Sequence, residues 1–174
     1  MSVQHAKDLA ERIAIQEFGF SEPPVNVRKI AKKYGLQIIE EPLENGVAGL
    51  LITQGAQSFC VLNQSDGLNR QRFTIGHELG HLILKHQEQV GDHVHVDKGN
   101  FISMRGPRAT QGVDSKEIEA NQFSACLLMP EAMIHKIVKQ VGEPLTDDKV
   151  MDLAERFQVS EQAMTIRLNN LNYI

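Results

Sequence analysis

Apolar positions recur every three to four residues from Val3 to Phe18, at Ala6, Leu9, Ala10, Ile13, Ala14 and Phe18, which is the spacing of a helix with one buried face. Pro23 and Pro24 interrupt that pattern. A shorter helix is predicted over Asn26 to Tyr34, with Gly35 where it should end. Three runs of strand character follow: Leu36 to Glu40, Val47 to Thr53 and Ser58 to Asn63. Asn45-Gly46 and Gln54-Gly55 supply turn chemistry between them, so a small, mostly antiparallel three-stranded sheet is expected. Helical spacing returns from Leu68 to His86 through Phe73, Ile75, Leu79, Leu82 and Ile83. It is lost from Gln87 to Ser115, where Gly91, Gly99, Gly106-Pro107 and Gly112 accumulate, and a long loop 87–115 is predicted there. A further helix is expected over Lys116 to Leu128, and another opens at Pro130 and ends near Gly142. Two more cover Asp147 to Phe157 and Ser160 to Leu171, with Ser160 as N-cap. The whole reads as an α+β protein, with one domain over residues 1–144 and a C-terminal helical pair, 145–174, packed on it.

At 174 residues the chain can bury a core without disulfides. A net charge of -4 argues against a broad nucleic-acid or membrane surface. Cys60 and Cys126 form no close-spaced pair, and both are expected as buried free thiols. The N-terminal run Met1 to Asp8 has no apolar stretch of the signal-peptide kind, and no segment approaches the length of a bilayer span. A reducing cytoplasm is the expected location.

The chemistry concentrates in His77-Glu78-Leu79-Gly80-His81, an H-E-x-x-H pattern inside a predicted helix. Residues four apart stand one turn above one another, so both imidazoles reach one ion. Glu78 projects about 100° round the helix, beside the open coordination position. A zinc ion with three protein ligands keeps a place for water and lowers its pKa to about 7, and Glu78 can take the proton as general base. Two surface histidines on an ordinary helix give the same letters. The surrounding apolar residues favour a buried site, where the polar cluster needs a partner. Gly80 leaves room for a close neighbour, either substrate or another helix. The longer pattern that supplies a third histidine, H-E-x-x-H-x-x-G-x-x-H, fails here, with Leu84 at its glycine position and Gln87 at its histidine position. Glu119, among the packing residues Ala120, Phe123, Ala125, Leu127 and Leu128, is favoured as third ligand over Glu117, Asp114, His93 and His95.

Two motifs taken together, Arg72 to Leu84 around the histidines and Glu119-Ala-Asn-x-Phe-Ser-Ala-x-Leu-Leu-Met-Pro130, resemble the ImmA/IrrE metallopeptidase family over most of the chain. The resemblance implies a zincin-like fold with a small sheet packed on the active-site helix. It implies one zinc ion on His77, His81 and Glu119, with Glu78 catalytic. It also implies a protein partner, a helix-turn-helix repressor or antitoxin that is cleaved. The interval from His81 to Glu119 is longer than the family's, which points to an insertion within 87–115. His93, His95, Arg105 and Arg108 there are candidates to line a substrate channel, although such residues are more often simply solvated. Asn121 is a candidate to orient a ligand. The expected function is a narrow, zinc-dependent endopeptidase.

The stretch Val150 to Leu168 reads as a helix-turn-helix, which makes a DNA-binding regulator the rival. The acidic balance from Leu145 to Ile174 opposes DNA contact: Lys149, Arg156 and Arg167 stand against Asp147, Asp148, Asp152, Glu155 and Glu161. A non-catalytic binding module on the same fold is a second rival.

Overall fold

The computed structural model describes residues 2–86, 93–97 and 113–174. Helix α1, Val3–Glu11, continues as a π-helical stretch, Arg12–Glu17, where the spacing predicts a single helix to Phe18. Helix α2, Val27–Lys33, starts at Asn26, whose side chain accepts from the Lys29 amide, and the chain leaves it through Gly35 at positive φ. Strands β1 (Leu36–Glu41), β2 (Gly49–Gln54) and β3 (Gln57–Asn63) follow. Next come α3 (Leu68–Ile83), β4 (His93–Asp97) and α4 (Val113–Leu128). The helices α5 (Glu131–Val141), α6 (Asp147–Phe157) and α7 (Glu161–Asn170) complete the described chain. Ser160 caps α7 by accepting from the Ala163 amide.

The sheet corrects the expectation of three mostly antiparallel strands. Among the described residues it has four strands, in the order β1-β3-β2-β4, and it is mixed. β1 pairs with β3 in parallel, Ile38 opposite Cys60. β2 pairs antiparallel with β3 on one side, Leu51 opposite Cys60, and with β4 on the other, Leu51 opposite His95. The hairpin β2–β3 turns through Gly55 at positive φ and is readable from local turn chemistry. The other two pairings are long-range, and no local signal reports them. β4 lies inside the predicted loop, where five residues between glycine-rich flanks are too few to give a periodic signal. α4 likewise begins three residues before the expected Lys116.

Side chains alternate across each strand. Leu36, Leu51, Cys60 and Leu62 point into one apolar cluster with Ile75 and Leu79 of α3. Gly49 of β2 lies directly beneath α3: a Cβ there would fall 2.4 Å from Thr74 Cγ2 and 3.9 Å from Glu78 Oε1. On its other side α3 meets α4 through its small residues. A Cβ on Gly80 would stand 3.2 Å from the Ala120 Cα, so the neighbour that Gly80 admits is a helix. Val150, Leu153, Phe157, Met164 and Leu168 of α6 and α7 belong to the same apolar cluster. Arg72 of α3 donates to the carbonyls of Gln158 and Val25, and Asn69 to that of Val159, which ties the α6–α7 turn to α3. This α+β arrangement fits a zincin-like fold in outline. Among the described residues no helix is long and apolar enough to cross a membrane.

Candidate metal centre

His77 and His81, one turn apart on α3, are 1% and 2% exposed, and their Nε2 atoms approach to 3.0 Å. Asn121 of α4 accepts from His77 Nδ1 at 3.0 Å. That contact places the His77 proton on Nδ1 and leaves Nε2 as a bare lone pair. Glu117, one turn before Asn121 on α4, sets its carboxylate across the pair. Its Oε2 lies 3.3 Å from His77 Nε2 and its Oε1 3.3 Å from His81 Nε2. His95 enters from β4, its Nε2 3.5 Å from Glu117 Oε1 and its ring centroid 4.2 Å from that of His81. One ligand atom from each of His77, His81, His95 and Glu117 falls within 4.8 Å of all the others.

The electrostatics suit a cation. Burial lowers the His81 pKa to about 4, with His77 adding to the shift and Glu117 opposing it, so the ring is neutral at neutral pH. Burial by itself would raise the Glu117 carboxyl, but its contacts with His77 and His81 outweigh that and hold it well below the usual carboxylate range. An anionic Glu117 carboxylate and a neutral His81 imidazole therefore face one point, with His77 Nε2 beside them. Around a tetrahedral zinc with bonds of about 2.0–2.1 Å, neighbouring ligand atoms stand about 3.3 Å apart. The spacings of 3.0, 3.3 and 3.3 Å match that, and nitrogen with carboxylate oxygen is a donor set that zinc takes.

Not every expected residue stands where the resemblance put it. Glu119, expected at the metal, is 5% exposed and turns to His86 instead, with Oε2 3.0 Å from His86 Nε2. The rotation of α4 explains this. Glu117, Ala120, Asn121 and Ser124 recur at helical spacing and face α3, whereas Glu119 stands about 200° round from Glu117. Glu117 heads the face of α4 whose Ala120 and Ser124 pack against Gly80 and Gly76 of α3, and that packing is what turns it to the histidines. Glu78 is fully buried beside Gly49 of β2. His86 was missed because helical spacing carries the helix through it. Instead α3 ends at Ile83, and Lys85 at φ 54° turns the chain back so that His86 Nδ1 lies 3.0 Å from His81 Nδ1. Lys116 donates to the His86 carbonyl and holds the return. The side chains of His93 and Asp114, and all of Arg105 and Arg108, lie outside the described residues. Cys60 and Cys126 are buried free thiols, and burial pushes the Cys126 thiol up to about 11.

Residues 31–169 match the model of the IrrE N-terminal-like domain, a peptidase family. The chain is similar to the radiation response metalloprotease IrrE of Deinococcus radiodurans, at 30% identity over 100 residues, which are 58% of this chain and 27% of that protein. Among solved structures, a Mycobacterium tuberculosis transcriptional regulator aligns over 96% of this chain and 47% of its own, with a TM-score of 0.62 and 15% identity. That likeness is one of fold. The chain spans about a quarter of the length of the first relative and about half that of the second.

Proposed function

This chain belongs to the ImmA/IrrE family, whose shared unit is the IrrE N-terminal-like peptidase domain, and on that premise we propose that it is a zinc-dependent endopeptidase acting on one protein partner. The observation that carries the reading is the meeting of His77 Nε2, His81 Nε2 and the Glu117 carboxylate around one point. These three residues would hold the ion. When bound, zinc supplies the Lewis acidity that makes water nucleophilic near pH 7 and polarises a scissile carbonyl. Glu78, next to His77 on the same helix, takes the proton from the attacking water and passes it to the leaving nitrogen. Its burial against Gly49 keeps bulk water from competing for that proton. Asn121 holds the His77 ring so that its bare nitrogen faces inward. The partner proposed is a helix-turn-helix repressor or antitoxin. Support comes from the family resemblance, and the net charge of -4 favours a protein over nucleic acid as the bound species.

The test is co-incubation of the zinc-loaded protein with a repressor encoded beside it, against Glu78→Gln. Cleavage by the native protein, lost in the variant while zinc stays bound, supports the reading. Cleavage that survives Glu78→Gln defeats the mechanism.

A second reading rests on His95. Four protein donors would close a tetrahedral site and leave no position for water, which makes the metal structural and the protein a non-catalytic binding module. His95→Ala separates the two. A structural site loses zinc affinity and gains a water ligand, visible in the cobalt-substituted spectrum. A catalytic three-ligand site already shows that water.

A further inference from the structure

Glu119 and His86 lie behind the metal centre and contribute no atom to its four-donor cluster. Glu119 is nevertheless buried and the His86 side chain is only 6% exposed, and the two form a chain of contacts with His81. Glu119 Oε2 stands 3.0 Å from His86 Nε2, and His86 Nδ1 stands 3.0 Å from His81 Nδ1. We propose that this chain of contacts is a positioning relay: Glu119 fixes the proton of His86, His86 thereby fixes the proton of His81, and the bare nitrogen of His81 is directed to the metal. The proposal rests on the metal-centre reading above.

The argument is one of donors and acceptors. A carboxylate accepts only, so the His86 nitrogen facing Glu119 carries the proton. In a neutral imidazole the other nitrogen is then an acceptor. Across the 3.0 Å gap the proton must belong to His81 Nδ1, which donates to His86 Nδ1. His81 Nε2 is left bare and faces His77 Nε2 and Glu117. His77 reaches the same state by a shorter route, since Asn121 accepts directly from its Nδ1. The two ligand histidines are thus set by different devices, an amide one helix away for His77 and an imidazole backed by a carboxylate for His81. The latter also has a structural prerequisite. His86 can face His81 Nδ1 only because the helix stops at Ile83 and Lys85 turns back, with Lys116 holding the His86 carbonyl. Were Glu119 absent, His86 would be free to place its proton on Nδ1. It would then take the donor role from His81 and force the His81 proton onto Nε2, the nitrogen the metal needs bare.

The experiment uses histidine-labelled, metal-free protein and long-range nitrogen–proton NMR, which reads the tautomer of each ring, beside zinc affinity by chelator competition. Native protein should show His81 with its proton on Nδ1. Glu119→Ala should shift His81 toward the Nε2-protonated form and weaken zinc binding about 10–100-fold, the usual cost of losing such a support. Glu119→Gln, whose amide oxygen still accepts from His86, should restore the native tautomer and most of the affinity. His86→Phe fills the same space without an acceptor and should behave as Glu119→Ala. An unchanged His81 tautomer in both Glu119→Ala and His86→Phe would overturn the relay. So would loss of zinc in Glu119→Gln with zinc retained in Glu117→Gln, since Glu119 would then be the ligand itself. Failure of the native protein to bind zinc would instead sink the metal-centre reading, and the tautomer comparison would still decide the relay.

Discussion

Gly76 of α3 and Ser124 of α4 are packed so closely that a Cβ on Gly76 would fall 2.4 Å from Ser124 Oγ, the same oxygen that donates to the Phe73 carbonyl at 2.8 Å. Gly80, one turn on, makes the companion contact with Ala120 and Phe123. These contacts set how near α4 comes to α3 and which of its faces looks at the histidines. Gly76→Ala should therefore act on the site from a distance. Ser124 must move and α4 with it, which costs about 1–3 kcal/mol of stability, and Glu117 withdraws from the histidine pair. Thermal unfolding and zinc titration should both register the change. Adding Ser124→Ala, which removes the nearest atom, should recover part of each. Native zinc affinity in the single variant would show that α4 is not held by this contact.

Glu117→Ala should abolish tight zinc binding, with an affinity loss well beyond the roughly 10–100-fold expected for a supporting residue. Elemental analysis of protein purified without chelators reads this directly. One zinc per chain in the variant would move the third ligand elsewhere.

Asn121→Leu keeps the volume of the side chain but removes the acceptor for His77 Nδ1. Its expected cost is about 10–100-fold in zinc affinity. The fold should persist, because Asn121 is only half-buried and lies at the edge of the α3–α4 contact. Circular dichroism alongside the zinc titration checks both halves.

Acid should weaken the metal-free protein through His81. Its folded pKa of about 4 lies below the ordinary value of 6.5, with burial as the main cause. Between those values the unfolded chain binds a proton that the folded chain refuses, so stability falls as pH drops from 6.5 toward 4, by about 3 kcal/mol at most, and the effect saturates below. Glu117 acts in the same direction lower down, since its depressed carboxyl contributes stability that is lost as the folded form protonates. Urea unfolding across this range should show a steeper loss in the native protein than in His81→Gln.

Much of this molecule is written locally. His77, Glu78 and His81 could be placed on one buried helix because four-residue spacing and a flanking apolar pattern are properties of a short segment. Ser160 as a cap, and Gly35, Gly55 and Gly142 as the ends of elements, were legible for the same reason: each acts on its own few residues. The tertiary structure decided the rest. The parallel pairing of β1 with β3 and the addition of β4 depend on partners twenty or more residues away, and five residues of β4 carry too little pattern to announce a strand. The choice between Glu117 and Glu119 depends on the rotation of α4 about its own axis, and that is fixed by Gly76 and Gly80 of another helix. The return of His86 to His81 depends on a left-handed Lys85 and on Lys116 from α4. Helical periodicity makes two carboxylates two positions apart equally available to a metal, and only close packing against a second helix turns one of them toward it.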